Sequence, residues 1–291
     1  MTSSSPNTLF PFNADRWLAF VTRTCALFSA IIVLLVVTFL ALESWPAIQH
    51  VGFGRFVTDA SWHPLSGLFN LIPMIVGTAL TTIGSLFIAV PLGIGSAVFG
   101  CFYAPPRLAG FHRRSVELLA GVPSVVFGLW GLVVLVPLLA PLGGSGQSLF
   151  AATLVLGLMI VPTIALTSQS ALQAVPSQLI SGAAALGLQR WVIVWRIALP
   201  AGKSGIKTGL LLATCRAMGE TMAVLMLAGN VAKMPDSIVS PIRTLTTNVA
   251  LEMGYATSEH RAILFVSGLV LMSVVCIVIL LMDFAGGWKN G

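Results

Sequence analysis

Long apolar runs alternate along this chain with short polar segments, and the length of each run selects its element. Residues 24–42 give 19 uncharged positions between Arg23 and Glu43. Crossing a hydrocarbon layer of about 30 Å takes roughly 20 helical residues, whereas a cleaved signal peptide has an apolar region of about 7–15. The run therefore predicts an uncleaved first span. No formal charge occurs between Asp59 and Arg107, and a second span falls within residues 70–102, kinked at Pro91. Further runs at 118–139, 149–172, 206–227 and 263–282 bring the expectation to six spans.

Charges between the runs set the orientation. With the amino terminus in the cytoplasm, ten cations fall inside: Arg16, Arg23, Arg107, Arg113, Arg114, Arg190, Arg196, Lys203, Lys207 and Lys289. Only four, Arg55, Lys233, Arg243 and Arg261, fall outside. Dividing the second run into two crossings would move Arg107, Arg113 and Arg114 outward, against the positive-inside rule. Both termini are thus expected in the cytoplasm. The glycine-rich stretch 143–146 reads as a tight outside turn. Two larger outside segments, 43–69 and 230–261, carry five of the nine acidic residues and face water or a soluble partner.

Composition supports lipid as the solvent: 57% of residues are hydrophobic and 8% charged, against about 25% charged in soluble domains. The fold class expected is an all-α polytopic membrane protein. A net charge of +6 does not indicate nucleic acid, because the cations are dispersed between apolar runs and form no stripe. Four cysteines make no CxxC pair, four histidines are scattered, and no HExxH motif or phosphate loop occurs. No catalytic or metal constellation emerges, so the chain is not expected to be an enzyme.

The loop between the fourth and fifth runs, residues 173–205, carries the clearest motif. Pro176 can open a helix, Ala183, Ala184 and Ala185 give it a small-residue surface, and Gly187 lets it stop and turn. Ile197, Leu199 and Pro200 follow at fixed distance. This pattern resembles the EAA loop of ABC importer permeases, with Ser181 and Gly182 replacing its usual Glu and first Ala. The resemblance implies a type I importer permease fold and a loop that docks on a cytoplasmic ATPase through Ala183, Ala184, Gly187 and Pro200. An ordinary interfacial amphipathic helix is the alternative. ATP and Mg would belong to the separate ATPase, and this chain would bind no cofactor.

Other segments narrow the resemblance. Arg216-Ala-Met-Gly-Glu-Thr-Met-Ala-Val and Pro241-Ile-Arg-Thr-Leu-Thr closely resemble the PstC family of phosphate permeases, as do Gly77-Thr-Ala-Leu-Thr-Thr and Glu117-Leu-Leu-Ala-Gly-Val-Pro-Ser. What this implies is a heterodimer with a PstA-like permease, a PstB-like ATPase dimer and a PstS-like periplasmic phosphate-binding protein, in the inner membrane. The alternatives are a PstA-like subunit, a permease for another oxyanion, an ion-driven secondary transporter and a scaffold without transport. The organisation expected is a cytoplasmic segment 1–23, a first span and outside loop 24–69, and a permease core 70–291.

Arg216 and Glu220 are the charged pair inside a predicted span. Ten residues beyond position 206 put Arg216 roughly 15 Å deep, where each charge costs about 2.5–3.5 kcal/mol on insertion scales. Four-residue spacing puts both on one helix face with the small residues Gly209, Ala213, Ala217 and Ala223. Their structural reading is a mutual ion pair. Their functional reading is a substrate pathway, in which the Arg216 fork holds phosphate oxygens and Glu220 accepts a bond from protonated phosphate, a donor that sulfate lacks. Thr221 could assist, and Ser124, beside Pro123, could line the same pathway. Thr81 and Thr82 read as helix back-bonding residues, and Gly77, Gly84, Gly93, Gly95, Gly121 and Gly128 as close-packing positions. In the last outside segment, Ile242, Leu245, Val249 and Met253 predict a short amphipathic helix. Arg243, Thr244 and Thr246 are placed on its other faces, where Arg243 could serve as a periplasmic gate or docking residue.

Overall fold

A computed structural model describes residues 12–142 and 144–286. Lys289 and Gly143, used in the topology count and the turn, lie outside them. Helix α1 covers Phe12–Val51 and is followed by the one-turn α2 at Arg55–Thr58. A small hairpin pairs β1, Trp62–His63, with β2, Leu68–Phe69, antiparallel. Then come α3 at Ile72–Val98, α4 at Pro106–Gly121, α5 at Ser124–Trp130 and α6 at Val136–Leu139. The long α7 spans Leu149–Gln173, and the loop after it holds α8 at Ser177–Ala185, α9 at Arg190–Ile193 and α10 at Leu199–Ala201. Helices α11 at Lys203–Met218 and α12 at Met222–Leu227 precede α13 at Leu245–Glu252 and α14 at Ser258–Gly286.

Among the described residues four helices, α1, α3, α7 and α14, are long and apolar enough to cross a membrane unbroken. The run 118–139 does not form the straight span expected. It belongs to a pair, Pro106–Gly121 and Ser124–Leu139, bent by 89°. Proline disfavours helical geometry at the residue before it, and Val122 is accordingly extended, with ψ 128°. The amphipathic α4, bearing Arg107, Arg113 and Arg114, is thereby turned away from the α5 direction. The run 206–227 is also interrupted, at Gly219–Thr221. Helix α1 extends well beyond residues 24–42, because a charged end such as Arg16 or Glu43 does not stop helical hydrogen bonding. Helix α3 continues through Pro91 without a break.

Between helices in lipid, close packing replaces the hydrophobic drive, and glycines let α7 approach its neighbours. A Cβ at Gly84 would meet Thr153 at 2.7 Å, and one at Gly93 would meet Ile164 at 2.7 Å. Gly205 rests on Ala171 and Gly209 on Thr167, which brings α11 against α7. Gly77 and Gly128 are also close approaches, but Gly95 and Gly121 have nothing within 4 Å of a Cβ and are not packing positions. Thr81 and Thr82 bond back to carbonyls of their own helix. Helix α1 packs on α14, with Phe39 edge-on to Phe265 at 5.6 Å, and no residue of its most apolar window is buried.

Candidate functional site

The interruption between α11 and α12 places the two charges differently from the one-face expectation. Glycine at 219 ends α11, and Glu220 then leaves the helical path. Its Oε1 accepts a hydrogen bond from the Ala223 backbone N–H at 3.1 Å, and its own carbonyl accepts from Thr246 Oγ1 at 2.9 Å. The ion pair with Arg216 is not formed, because the carboxylate serves the first turn of α12 instead. Arg216 is exposed on α11 and makes no hydrogen bond or ion pair among the described residues. The small residues do not surround it. Gly209, Ala213, Ala217 and Ala223 are buried within the chain, which leaves the guanidinium on a face this subunit does not cover.

Thr221 lies in the break and donates to the Gly219 carbonyl at 3.4 Å. Ser124 opens α5 directly after Pro123 and is half-buried, with no side-chain hydrogen bond among the described residues. Helix α5 packs along α12 through Gly128, where a Cβ would meet Ala223 at 2.9 Å. The bent pair and the broken pair thus touch, and both depart from straight spans within the membrane.

On the expected outer side a second centre appears around Glu252, whose side chain is 8% exposed. Arg243 Nη1 donates to Glu252 Oε1 at 2.6 Å and to Asn248 Oδ1 at 3.0 Å, while its Nε donates to the Asn230 carbonyl at 2.9 Å. Trp62 Nε1 lies 3.1 Å from both carboxylate oxygens, and His260 Nε2 lies 2.8 Å from Oε2. A buried carboxylate persists only when its lone pairs are filled, and here three outside elements fill them. The centre borders a cavity of about 910 Å³ that also reaches His63, Lys233 and Tyr255. Partial burial, then the nearby Glu252 charge, raise the Tyr255 phenol above its ordinary value.

This centre corrects the expected helix faces. Arg243 precedes α13 and is not on it, and Thr244 caps it, with Thr247 closing a reciprocal capping box. Thr246, Thr247 and Asn248 are buried, so the polar face points inward. Trp62, Glu252 and His260 were not singled out by sequence reasoning. Nothing in their spacing could have joined them, since Trp62 and Glu252 are 190 residues apart.

The segment 173–205 follows its expected outline. Helix α8 begins after Pro176, and Gly187 takes φ +77°. Leu188 N–H reaches the Ala183 carbonyl and Gly187 N–H the Ala184 carbonyl, the paired bonds of a Schellman turn. Ala184, Ala185 and Pro200 are exposed and Leu186 is 82% exposed, but Ala183 is buried against its own chain and cannot face a partner.

Residues 89–285 match the family model described as "Binding-protein-dependent transport system inner membrane component". The chain belongs to this family. Its match takes in α8, the α11–α12 break and the Arg243–Glu252–His260 group, while Trp62 precedes it. As a member, the permease is a multi-pass inner-membrane transport subunit. It is 33% identical over 279 residues to the "Phosphate transport system permease protein PstC" of Pasteurella multocida, covering 89% of this chain and 87% of that one. It is 34% identical over 276 residues to the protein of the same name from Mesorhizobium japonicum, covering 86% and 83%. Among solved structures, a chain of a bacterial alginate ABC transporter in complex with its alginate pentasaccharide-bound periplasmic protein superposes with TM-score 0.68 at 16% identity, covering 96% and 99%. A chain of the inward-facing MetNI methionine ABC transporter gives 0.58 at 20%, covering 77% and 95%. The all-α polytopic fold is that of a type I ABC importer permease.

Proposed function

We propose that this permease is the PstC-like subunit of an ATP-driven phosphate importer, with Arg216 as the residue that meets phosphate in transit. The observation that carries this reading is the uncompensated guanidinium on α11. Thirteen residues at 1.5 Å put it roughly 20 Å beyond Lys203, deep in the membrane. An unpaired charge at that depth is costly and belongs on a water-filled or protein-lined path. Its planar fork suits a tetrahedral oxyanion, and the relatives named phosphate permeases support phosphate as that anion.

In this reading a PstA-like permease covers the exposed face of α11, and the pathway runs between the two subunits past Arg216, Thr221 and Ser124. Glu220, held at the start of α12, is the group that senses the phosphate proton. A PstS-like binding protein delivers phosphate to the side bearing Arg243. A PstB-like ATPase dimer, using ATP and Mg, takes up α8 through Ala184, Gly187 and the neighbouring exposed Leu186. The ATPase lies on the side of Arg190, Arg196, Lys203 and Lys207, which the positive-inside rule makes cytoplasmic, with both termini there.

The deciding experiment is uptake of labelled phosphate by vesicles holding the reconstituted complex, with sulfate and molybdate as competitors. ATP-dependent uptake that phosphate alone competes supports the proposal. Uptake abolished by an uncoupler but indifferent to ATP, or competed better by another oxyanion, overturns it.

A further inference from the structure

We propose that α4 is a membrane-surface helix that docks on anionic phospholipid through two adjoining stripes of its exposed side. The proposal takes from the reading above only the orientation, which puts α4 at the cytoplasmic leaflet. Helix α4 stands at 89° to the limb Ser124–Leu139. With that limb crossing the bilayer, α4 lies in the plane of the membrane surface, and its 16 residues run roughly 24 Å along it. Tyr103, just ahead of α4, is 46% exposed, and tyrosines gather at headgroup level.

Residues three and four apart share a helix face, and this spacing divides α4 into three stripes. Ala109, His112, Val116 and Ala120 are half-buried and form the stripe nearest the bundle, where α4 meets α7. His112 fixes the rotation of the helix: its Nε2 lies 3.0 Å from Ser96 Oγ of α3, and its ring meets Phe99 edge-on at 5.5 Å. On one side of that stripe Leu108, Phe111 and Leu118 are 44%, 69% and 75% exposed. On the other side Arg107, Arg113, Arg114 and Glu117 are all exposed. An apolar edge beside a basic edge is the pattern of a helix that lies on a membrane.

Charge complementarity selects the occupant. Arg113 Nε donates to Glu117 Oε1 at 2.8 Å, which uses the one acidic residue of α4. Arg107 and Arg114 are left with two positive charges and no hydrogen bond or ion pair among the described residues. Seven residues set them two turns apart on one edge, at roughly 10 Å, and each fork suits a phosphodiester. An acidic protein surface or free phosphate would pair the arginines but leave Phe111 and Leu118 in water. A neutral lipid would cover Phe111 and Leu118 but leave the arginines unbalanced. An anionic phospholipid surface answers both edges at once. Held in this way, α4 fixes the bend at Pro123, and with it the direction of α5, which Ser124 opens.

The test uses the full complex in vesicles of phosphatidylglycerol and phosphatidylcholine, without phosphate or ATP, so a failed uptake assay leaves its result intact. Nitroxide labels are attached, after replacement of the four native cysteines, at Gly110→Cys and at Leu118→Cys. Gly110 lies on the arginine edge, where a Cβ meets nothing within 4 Å, and Leu118 on the apolar edge. The label at position 118 should collide with dissolved oxygen, and the label at 110 with a water-soluble nickel chelate. Both labels open to nickel would mean a helix in water, and both shielded from either reagent a helix covered by a partner subunit; each overturns the proposal. Native mass spectrometry of the complex with both lipids reads the headgroup. Phosphatidylglycerol should be retained in preference to phosphatidylcholine, and the combined Arg107→Gln and Arg114→Gln variant should weaken that preference by about thirtyfold, the worth of two arginines at an anionic surface. Glu117→Gln, which releases Arg113, should strengthen it. Equal retention of both lipids, or an unchanged preference in both variants, overturns the proposal. A tag reporter on the carboxyl terminus tests the orientation by itself.

Discussion

Glu220 is bound to Ala223 and not to Arg216: its Oε1 takes the Ala223 N–H at 3.1 Å. That bond fastens the carboxylate to the first turn of α12 and leaves the guanidinium four residues earlier without a counter-charge among the described residues. In the proposed reading a second subunit or a passing anion compensates it, and separate variants resolve the tasks proposed for the two residues.

Arg216→Gln should cut ATP-driven phosphate uptake by about 10- to 100-fold, the worth of one charge-assisted hydrogen-bonded contact. Co-purification of the complex should be unchanged. Arg216→Lys keeps the charge and loses the fork, so its uptake should fall between the two. Wild-type uptake in Arg216→Gln vesicles removes the role assigned to this residue.

Glu220→Ala deletes the acceptor for Ala223 and should lower stability by about 1 kcal/mol, as loss of a helix cap does. Glu220→Gln keeps an amide oxygen for that bond, and should assemble normally while discriminating less between phosphate and sulfate. Thermal denaturation paired with competition uptake distinguishes them. Equal selectivity in Glu220→Gln and wild type would show that the carboxylate is a cap alone.

Gly187 occupies φ +77° with open space around a Cβ. Gly187→Leu therefore strains only the backbone, by about 1–2 kcal/mol, and should distort the turn that presents Leu186. The expected result is ATP hydrolysis with fewer phosphates moved per ATP, measured in proteoliposomes. Gly187→Asn tolerates the left-handed conformation better and should be milder.

Glu252→Gln strips the charge from a carboxylate that holds Arg243, His260 and Trp62. Breaking such a buried pair costs about 3–5 kcal/mol, so the hairpin of β1 and β2 should become sensitive to added protease. Trp62→Phe removes a single donor to the carboxylate and should cost less, about 1.5–3 kcal/mol. A reversed order of protease sensitivity would mean that the hairpin is held elsewhere.

Run length alone located α3, α7 and α14, because an apolar stretch of membrane thickness has few alternatives to a helix. The bend at Pro123 and the break at Gly219 were also written in the sequence, as Val122-Pro123 and Gly219-Glu220-Thr221. Averaging hydrophobicity across a span hid both. The turn after α8 was legible because Gly187 acts through its own backbone. Placing Arg216 and Glu220 on one face assumed an unbroken helix, and the break at Gly219–Thr221 removed that premise. The Glu252 centre was out of reach for a different reason, since its partners meet only after α13, α14 and the first hairpin have come together.

That last separation has a consequence for biogenesis. Trp62 leaves the ribosome 190 residues before Glu252, and at synthesis rates of about 5–20 residues per second the hairpin waits roughly 10–40 s for its carboxylate. Until then the indole must rest at the membrane–water boundary, and the Arg243–Glu252–His260 group arrives nearly complete before closing on it. The face bearing the hairpin closes only once residues 252–260 have been made, so chains truncated before residue 252 should be inserted in the membrane yet left open on that side.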